Sequence, residues 1–410
     1  MFPKLRFKEF DENWKEVTLK NCITSIDSGW SPQCESYPAN SSEWGVLKTT
    51  SVDWSGFNSS FNKKLPLELT PRKEIEVKPL DILVTRAGPT ERVGVVSVVP
   101  HSVRSKLMIS DKLIRLKSNE ENNPLFLGIS LSSVKCQNQL QSKTSGLAKS
   151  QTNISQKILG EVLLKLPSKE EQTKIASFLS AVDEKISQLT QKHELLSQYK
   201  QGMMQKLFSQ QIRFKADDGS EFGEWEDKKL GEVGENIIGL TYSPTDVTND
   251  GTGILVLRSS NIKEGRLDKS DQVRVNKKIK DKIIVQPNDI LICTRNGSQR
   301  LIGKSVIIND DEVMTFGAFM SVYRSKYNRF IAYLMQTPWF FEQVQMNLGA
   351  RINQITTGTL NEFTFDFPCL EEQTKIANFL SAIDQKIEVV AQQIEQAKTW
   401  KKGLLQQMFV

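Results

Sequence analysis

The chain is poor in the residues on which most enzyme chemistry depends. Two histidines, His101 and His193, argue against a histidine-rich metal site or a Ser-His-Asp hydrolase. Five cysteines (Cys22, Cys34, Cys136, Cys293, Cys369) lie far apart with no Cys-x-x-Cys pair. That pattern fits free thiols in a reducing compartment better than a disulfide framework or a zinc site. Apolar runs are short, Ile290 to Cys293 being typical, and none approaches the ~18 residues of a membrane span. Met1-Phe2-Pro3-Lys4-Leu5-Arg6 contains no apolar core of signal-peptide length, so the expectation is a cytoplasmic protein without membrane contact. No glycine-rich dinucleotide fingerprint occurs. Gly297 and Gly303-Lys304-Ser305 come near a phosphate loop, but the spacing is one residue too long and no helix pattern follows. The Asn/Asp-Pro-Pro-aromatic run of amino-methyltransferases is absent. No catalytic residue, metal ligand or cofactor is therefore assigned to this chain.

What remains is an ordinary globular composition, 38% hydrophobic and 25% charged over 410 residues, enough for two or three domains. The net charge is +6. Its excess lies early, with 21 Lys/Arg against 16 Asp/Glu in residues 1–150. Such a balance permits nucleic-acid binding without demanding it.

The strongest signal is internal repetition. Residues 167–209 align with 368–410 at a constant offset of 201 with no gap, and 21 of 43 positions are identical. Glu170 to Ala176 recurs unchanged as Glu371 to Ala377. The preceding regions match more loosely. Leu5-Arg6-Phe7 with Trp14 answers Ile212-Arg213-Phe214 with Trp225, and Pro79-x-Asp81-Ile82-Leu83 with Arg86 answers Pro287-x-Asp289-Ile290-Leu291 with Arg295. The order is a variable unit (1–166), a constant segment (167–210), a variable unit (211–366) and a constant segment (367–410). Two copies suggest a pseudo-two-fold monomer that mimics a homodimer.

The constant segments read as long helices. Heptad positions carry Ile175, Leu179, Val182, Ile186, Leu189 and Leu196 in the first, and Ile376, Leu380, Ile383, Ile387, Val390 and Ile394 in the second. A 39-residue helix is a rod of roughly 58 Å. Its apolar seam needs a partner, and the other copy, antiparallel, is the natural one. Ser168 and Glu171 have the spacing of a capping box. Lys200 and Lys401 fall on the seam and are expected near the ends, with heads in water. His193 stands where the second copy has Ile394, as a half-buried seam residue or a pH-sensitive one. Gly202 and Gly403 either admit another chain closely or are tolerated weak spots. Tyr199 and Trp400 are either anchors for a docking partner or flanks of the seam.

The variable units mix short strands, such as Asp81–Thr85 and Asp289–Thr294, with fewer helices, near Pro124–Cys136 and Arg329–Gln345. The expected fold is α/β: two globular mixed domains separated by two long antiparallel coiled-coil helices. Between the strands, cations recur among small polar residues. The first unit has Lys48, Thr49, Thr50 and Ser51, then Arg86, then Lys149, Gln151 and Asn153. The second has Arg258, Ser259 and Asn261, then Arg295, Asn296, Gln299 and Arg300, then Arg351, Asn353 and Gln354. Arginine can read guanine bidentately and Asn or Gln can read adenine, while hydroxyls hold phosphates. Polar loops are also commonplace, so it is the parallel placement in both units that makes the case.

This arrangement resembles the specificity subunit of a type I restriction–modification system. The resemblance spans nearly the whole chain. It is carried by the duplicated Pro-x-x-Glu-Glu-Gln-x-Lys-Ile-Ala-x-Phe-Leu start (Pro167 to Leu179, Pro368 to Leu380) and by the Pro-x-Asp-Ile-Leu strands leading to Arg86 and Arg295. Ser31 stands where the family has threonine before proline, and the second copy carries an extra residue before Ser243-Pro244. The resemblance implies two target recognition domains, each reading one half of a split, asymmetric double-stranded DNA target. It implies helices that set the spacing and dock two methyltransferase subunits, through which restriction subunits join. S-adenosylmethionine would belong to the methyltransferase partner, and ATP with Mg to the restriction partner. The rival of another class is a two-headed protein-binding coiled-coil scaffold without DNA specificity. A nuclease or methylase would need motifs that the chain lacks.

Overall fold

A computed structural model describes residues 3–143, 152–348 and 353–409. It divides into two compact units, Met1–Thr190 with Gln392–Val410 and Gln191–Ala391. Both division points fall inside the long helices, so the compact bodies cut across the segment boundaries suggested by the repeat.

The two helices form as the heptads require. The first, α1, spans Lys169–Phe208 and the second, α2, Leu370–Met408. Ile175, Leu179, Val182 and Leu189 of α1 are buried, as are Ile376, Leu380, Ile383, Ile387, Val390 and Ile394 of α2. Ile186, Leu196 and His193 are half-buried. Each fully buried Leu or Ile contributes about 1.5–3 kcal/mol.

Within each unit a stretch of α1 lies against a stretch of α2. In the first, Ile175, Leu179 and Val182 share a core with Leu404 and Met408. In the second, Met204 and Leu207 share one with Ile376, Leu380 and Ile383. The direction is fixed by paired contacts. The Leu5 N–H donates to Gln407 O at 3.0 Å while Arg6 grips Glu171, and Asp183 meets Lys401 at 2.5 Å. As α1 climbs from 171 to 183, its neighbour descends from 407 to 401. The second unit repeats this: Ile212 N–H donates to Lys206 O, Arg213 grips Glu372, and Lys200 meets Asp384 at 2.8 Å. Both stretches are antiparallel. Lys200 and Lys401 thus depart from expectation. Rather than reaching water near helix ends, each answers a carboxylate on the facing helix. The offset of 201 carries Asp183–Lys401 onto Asp384–Lys200 with the helices exchanged.

Each unit is built on a four-stranded antiparallel sheet. In the first it comprises β1 (Ile23–Ser28), β2 (Ile82–Thr85), β3 (Val96–Val98) and β4 (Leu113–Ser118), ordered β1-β4-β2-β3. In the second, β5 (Glu235–Ile238), β6 (Ile290–Cys293), β7 (Ser305–Ile307) and β8 (Met320–Arg324) take the same order, β5-β8-β6-β7. Strands β2 and β6 carry continuous apolar runs, Ile82 to Val84 and Ile290 to Cys293 being buried, as strands covered on both faces must be. Lys15–Thr18 pairs with Leu163–Leu166, and Glu226–Lys229 with Thr364–Phe367, just before each long helix. The helical stretches expected as single pieces are each two: Pro124–Ser132 and Val134–Ser142, then Asn328–Leu334 and Pro338–Met346. The breaks have local causes. Ser133 and Thr337 turn extended and cap the following helix with their hydroxyls.

Two sequence motifs resolve into internal supports. In the Pro-x-Asp motif the carboxylates of Asp81 and Asp289 are buried and accept the N–H of Lys78 and Gln286, each at 2.8 Å. They also face Arg115 and Arg324 from the neighbouring central strand. Burial pushes the Asp81 carboxyl up. In the helix-start motif, Ser168 does cap the N–H of Glu171, but the Glu171 carboxylate does not complete the box. It is 1% exposed and turns inward, taking two hydrogen bonds from Arg6 (2.8 and 2.7 Å) and one from the Trp14 indole (3.3 Å). Glu372, Arg213 and Trp225 repeat the clamp at 3.1, 2.8 and 3.0 Å. The near phosphate loop is no such thing: Gly303-Lys304-Ser305 runs into strand β7, not a helix.

Candidate nucleic-acid interface

The strand ends bring the polar clusters together. In the first unit β2 delivers Thr85 into Arg86, whose N–H donates to Lys112 O at 2.8 Å just ahead of β4. Asn153 pairs with Ala87, and Thr152 with Gly88. The loop Gly29-Trp30-Ser31-Pro32 lies on the same turn, since Gly29 and Trp30 donate to Ser110 and Ile109 and Ser31 bonds Asp111. A Cβ at residue 29 would sit 1.8 Å from the Ile109 carbonyl oxygen, and one at Gly239 2.3 Å from that of Gly317. Those glycines let the loop approach, whatever it contacts beyond. The Lys48–Ser51 turn is tied in by Arg92, which donates to Thr49 O and Val52 O and pairs with Asp53 at 2.5 Å.

The second unit builds the same end from different side chains. Arg295 follows β6, and its N–H donates to Phe319 O at 3.0 Å. Its backbone bridges Gln354, and the Asn296 N–H donates to Asn353 O. The Asn353 amide donates to Gly297 O at 3.1 Å, and that of Asn296 to the Ser259 hydroxyl at 2.9 Å. The Gln299 amide donates to Gln345, and Arg300 is exposed on the same turn. The backbone frame is the same: Ile154 N–H bonds Arg86 O and Ile355 N–H bonds Thr294 O, so Thr294 is the counterpart of Arg86, and Arg295 that of Ala87. The two arginines therefore stand one residue apart along the strand, and a one-residue step changes the face a side chain occupies.

Free charge distinguishes the candidates. Among the described residues Arg86 and Arg295 have no carboxylate partner, and they stand one residue apart at the corresponding strand end of the two units. Arg258 is different. Its guanidinium pairs with Asp271 at 2.5 Å, and the Ser260 hydroxyl and Arg258 hold that carboxyl below its ordinary range. Ser51 and Asn261 are corrections to the sequence reading. Both are 0% exposed. Ser51 donates to Lys48 O, and Asn261 accepts from the Arg258 N–H and donates to Asp268 O and Asp271 O. They shape turns and have no atom to offer a ligand. Lys48 and Thr49 are half-buried, Thr50 and Asn153 exposed. Lys149, Gln151 and Arg351 lie outside the described residues.

On the helices, nothing in the described chain lies within 4 Å of a Cβ built at Gly202 or Gly403, so no internal contact demands glycine there. Tyr199 and Trp400 are 52% and 53% exposed. Trp400 sets one edge on Phe178, ring centroids 6.0 Å apart. Sequence reasoning missed Phe319, Lys112 and the two Arg–Glu–Trp clamps. The clamps were signalled by matched Arg, Trp and Glu in the repeat. Among the described residues no cluster of His, Cys, Asp or Glu suits a metal ion, and no helix is long and apolar enough to cross a membrane.

Comparison with known proteins agrees with this geometry. The chain matches the family model described as the type I restriction modification DNA specificity domain twice, over residues 12–198 and 223–399. It is 27% identical to a putative type I restriction enzyme MjaX specificity subunit of Methanocaldococcus jannaschii, across 98% of this chain and 94% of that one. It is 40% identical over 171 residues to the type I restriction enzyme EcoEI specificity subunit of Escherichia coli, which is 41% of this chain and 29% of that relative. A crystal structure of a type I restriction–modification S subunit from M. genitalium shares the fold, with a TM-score of 0.63 at 15% identity, covering 100% of this chain and 99% of that one.

Proposed function

We propose, from the premise that this chain belongs to the type I restriction–modification DNA specificity family, that it is the DNA-reading subunit of such a complex. Each unit reads one half of a bipartite, asymmetric target. The observation that carries this is that each unit has, at the corresponding strand end, an arginine with no carboxylate partner among the described residues: Arg86 in the first and, one residue further along, Arg295 in the second. An arginine without a carboxylate keeps its fork of donors for guanine O6 and N7 or for phosphate. Unlike loops imply unlike half-sites.

The chain itself is non-catalytic, and chemistry comes from its partners. Two methyltransferase subunits would carry S-adenosylmethionine and flip target adenines, and restriction subunits with ATP and Mg would join through them. The helices would set the half-site spacing. Docking beside Gly403 is supported by an apolar cavity of about 690 Å³ in the first unit, lined by Val98, Leu179, Leu405, Phe409 and Trp54 together with Lys402. A DNA-reading subunit would act in the cytoplasm, a compartment that the five free cysteines suit.

Co-expression with methyltransferase and restriction subunits encoded beside it in the genome, followed by mapping of methylated adenines, tests the reading. A split motif with two unlike halves is expected. A continuous motif, or no methylation with every subunit present, refutes it. DNA affinity should fall steeply with salt, because phosphate contacts release counterions. A scaffold that binds only proteins would show no such slope.

A further inference from the structure

An exposed phenyl ring stands in the second unit where the first has a lysine. The Arg86 N–H donates to Lys112 O, and the N–H of its backbone counterpart Thr294, with that of Arg295 beside it, donates to Phe319 O, so Lys112 and Phe319 are structural counterparts. Phe319 is 57% exposed, in the turn that feeds β8. A ring left this open forgoes the gain that burial would give. The Arg295 guanidinium lies over it, 4.8 Å from the ring centroid. That attraction orients the arginine without consuming its donors. A carboxylate in the same role, as Asp271 is for Arg258, would have consumed them.

We infer that Arg295 and Phe319 form one composite reader of a guanine beside a thymine in the second half-site. The inference rests on the DNA-reading function proposed above. The guanidinium donates to guanine O6 and N7, and the ring meets the thymine 5-methyl group. The chemistry selects that pair. A planar fork of donors matches the guanine major-groove edge. A phenyl ring forms no strong hydrogen bond, so its complement is the one apolar group that major groove presents, the thymine methyl. Cytosine or adenine there would press an amino group against hydrocarbon and leave its donor unpaired. The first unit, with Lys112 in that place, has no such preference.

The test uses the full chain co-expressed with its methyltransferase subunit. The methylated motif should contain guanine next to thymine in one half. Phe319→Ala should relax the thymine position alone and Arg295→Ala the guanine, with the other half unchanged and the unfolding midpoint of Phe319→Ala preserved. Replacing that thymine by uracil removes only the methyl group. It should weaken wild-type binding about fourfold, the worth of one buried methyl, and leave Phe319→Ala binding unaltered. A motif lacking that step, a motif indifferent to Phe319→Ala, or wild-type binding blind to uracil overturns the inference. So does a Phe319→Ala loss equal on thymine and uracil duplexes, which would make the ring a wedge and not a methyl reader. Absence of any split motif sinks the DNA-reading function itself, whereas a split motif insensitive to Phe319 sinks only this inference.

Discussion

Replacing Arg6 by leucine removes the cation from a carboxylate that has nowhere to go. Glu171 is 1% exposed, and the Arg6 side chain is 11% exposed. Arg6 supplies two of the three side-chain hydrogen bonds to that carboxylate, at 2.8 and 2.7 Å, leaving the Trp14 indole at 3.3 Å as the remaining donor. Breaking a buried pair from one side costs about 3–5 kcal/mol, because the surviving charge is uncompensated. For a unit of this size that lowers the unfolding midpoint by roughly 10 °C. The loss should be confined to the first unit, so calorimetry of the purified chain should show one transition displaced and the other unmoved. Arg213→Leu should displace the other through Glu372. Adding Glu171→Gln should recover most of the loss, since a neutral amide tolerates the site. A deficit under about 1 kcal/mol in Arg6→Leu, or a double variant no more stable than the single one, would refute the account.

The helix pair gives a second handle. Lys200→Asp should destabilise the second unit by about 1 kcal/mol, and adding Asp384→Lys should restore it, as a double-mutant cycle in urea would read; the pair is part-exposed, so little more is expected. Arg86→Ala should relax one half of the methylated motif by about 1–3 kcal/mol per base contact, whereas Arg258→Ala, whose guanidinium is spent on Asp271, should leave the recognised bases unchanged in the same mapping. In a thiol titration at pH 8, exposed Cys369 should react first. Cys22 and Cys293, whose thiols burial pushes up to about 11, should react only on unfolding.

The helices were legible because their signal is periodic and repeated: a heptad stripe read twice at a fixed offset leaves little freedom in where the buried face falls. The sheet strands were legible from runs such as Ile290 to Cys293, where continuous apolar character marks burial on both faces. The polar motifs were not. Asp81 in Pro79-x-Asp81 and Glu171 at the helix start are charged residues that face inward, and one chain's sequence does not say which arginine will meet them. Ser51 and Asn261 failed as readers for the same reason. A small polar side chain in a turn serves the backbone as readily as a ligand, and only burial decides. Phe319 went unnoticed because an aromatic beside an apolar strand reads as core until its exposure is seen.

A reader that must change its target without losing its frame has to keep the two tasks on different residues. The repeat does so. Whatever recurs between the copies is committed inside the protein: Arg6, Trp14 and Glu171 with their counterparts, the turn aspartates Asp81 and Asp289, and the Asp–Lys pairs of the helices. Differences gather at the strand ends: Lys112 against Phe319, Thr152-Asn153 against Asn353-Gln354, and Arg86-Ala87 against Thr294-Arg295. Arg86 and Arg295 stand one residue apart at that end, and with no carboxylate partner among the described residues they mark it as the reading end. Substitutions around them can alter the recognised bases without touching a buried charge, so the interface varies at small cost to stability. A change at Glu171 or Glu372 would cost the whole unit and gain no new sequence.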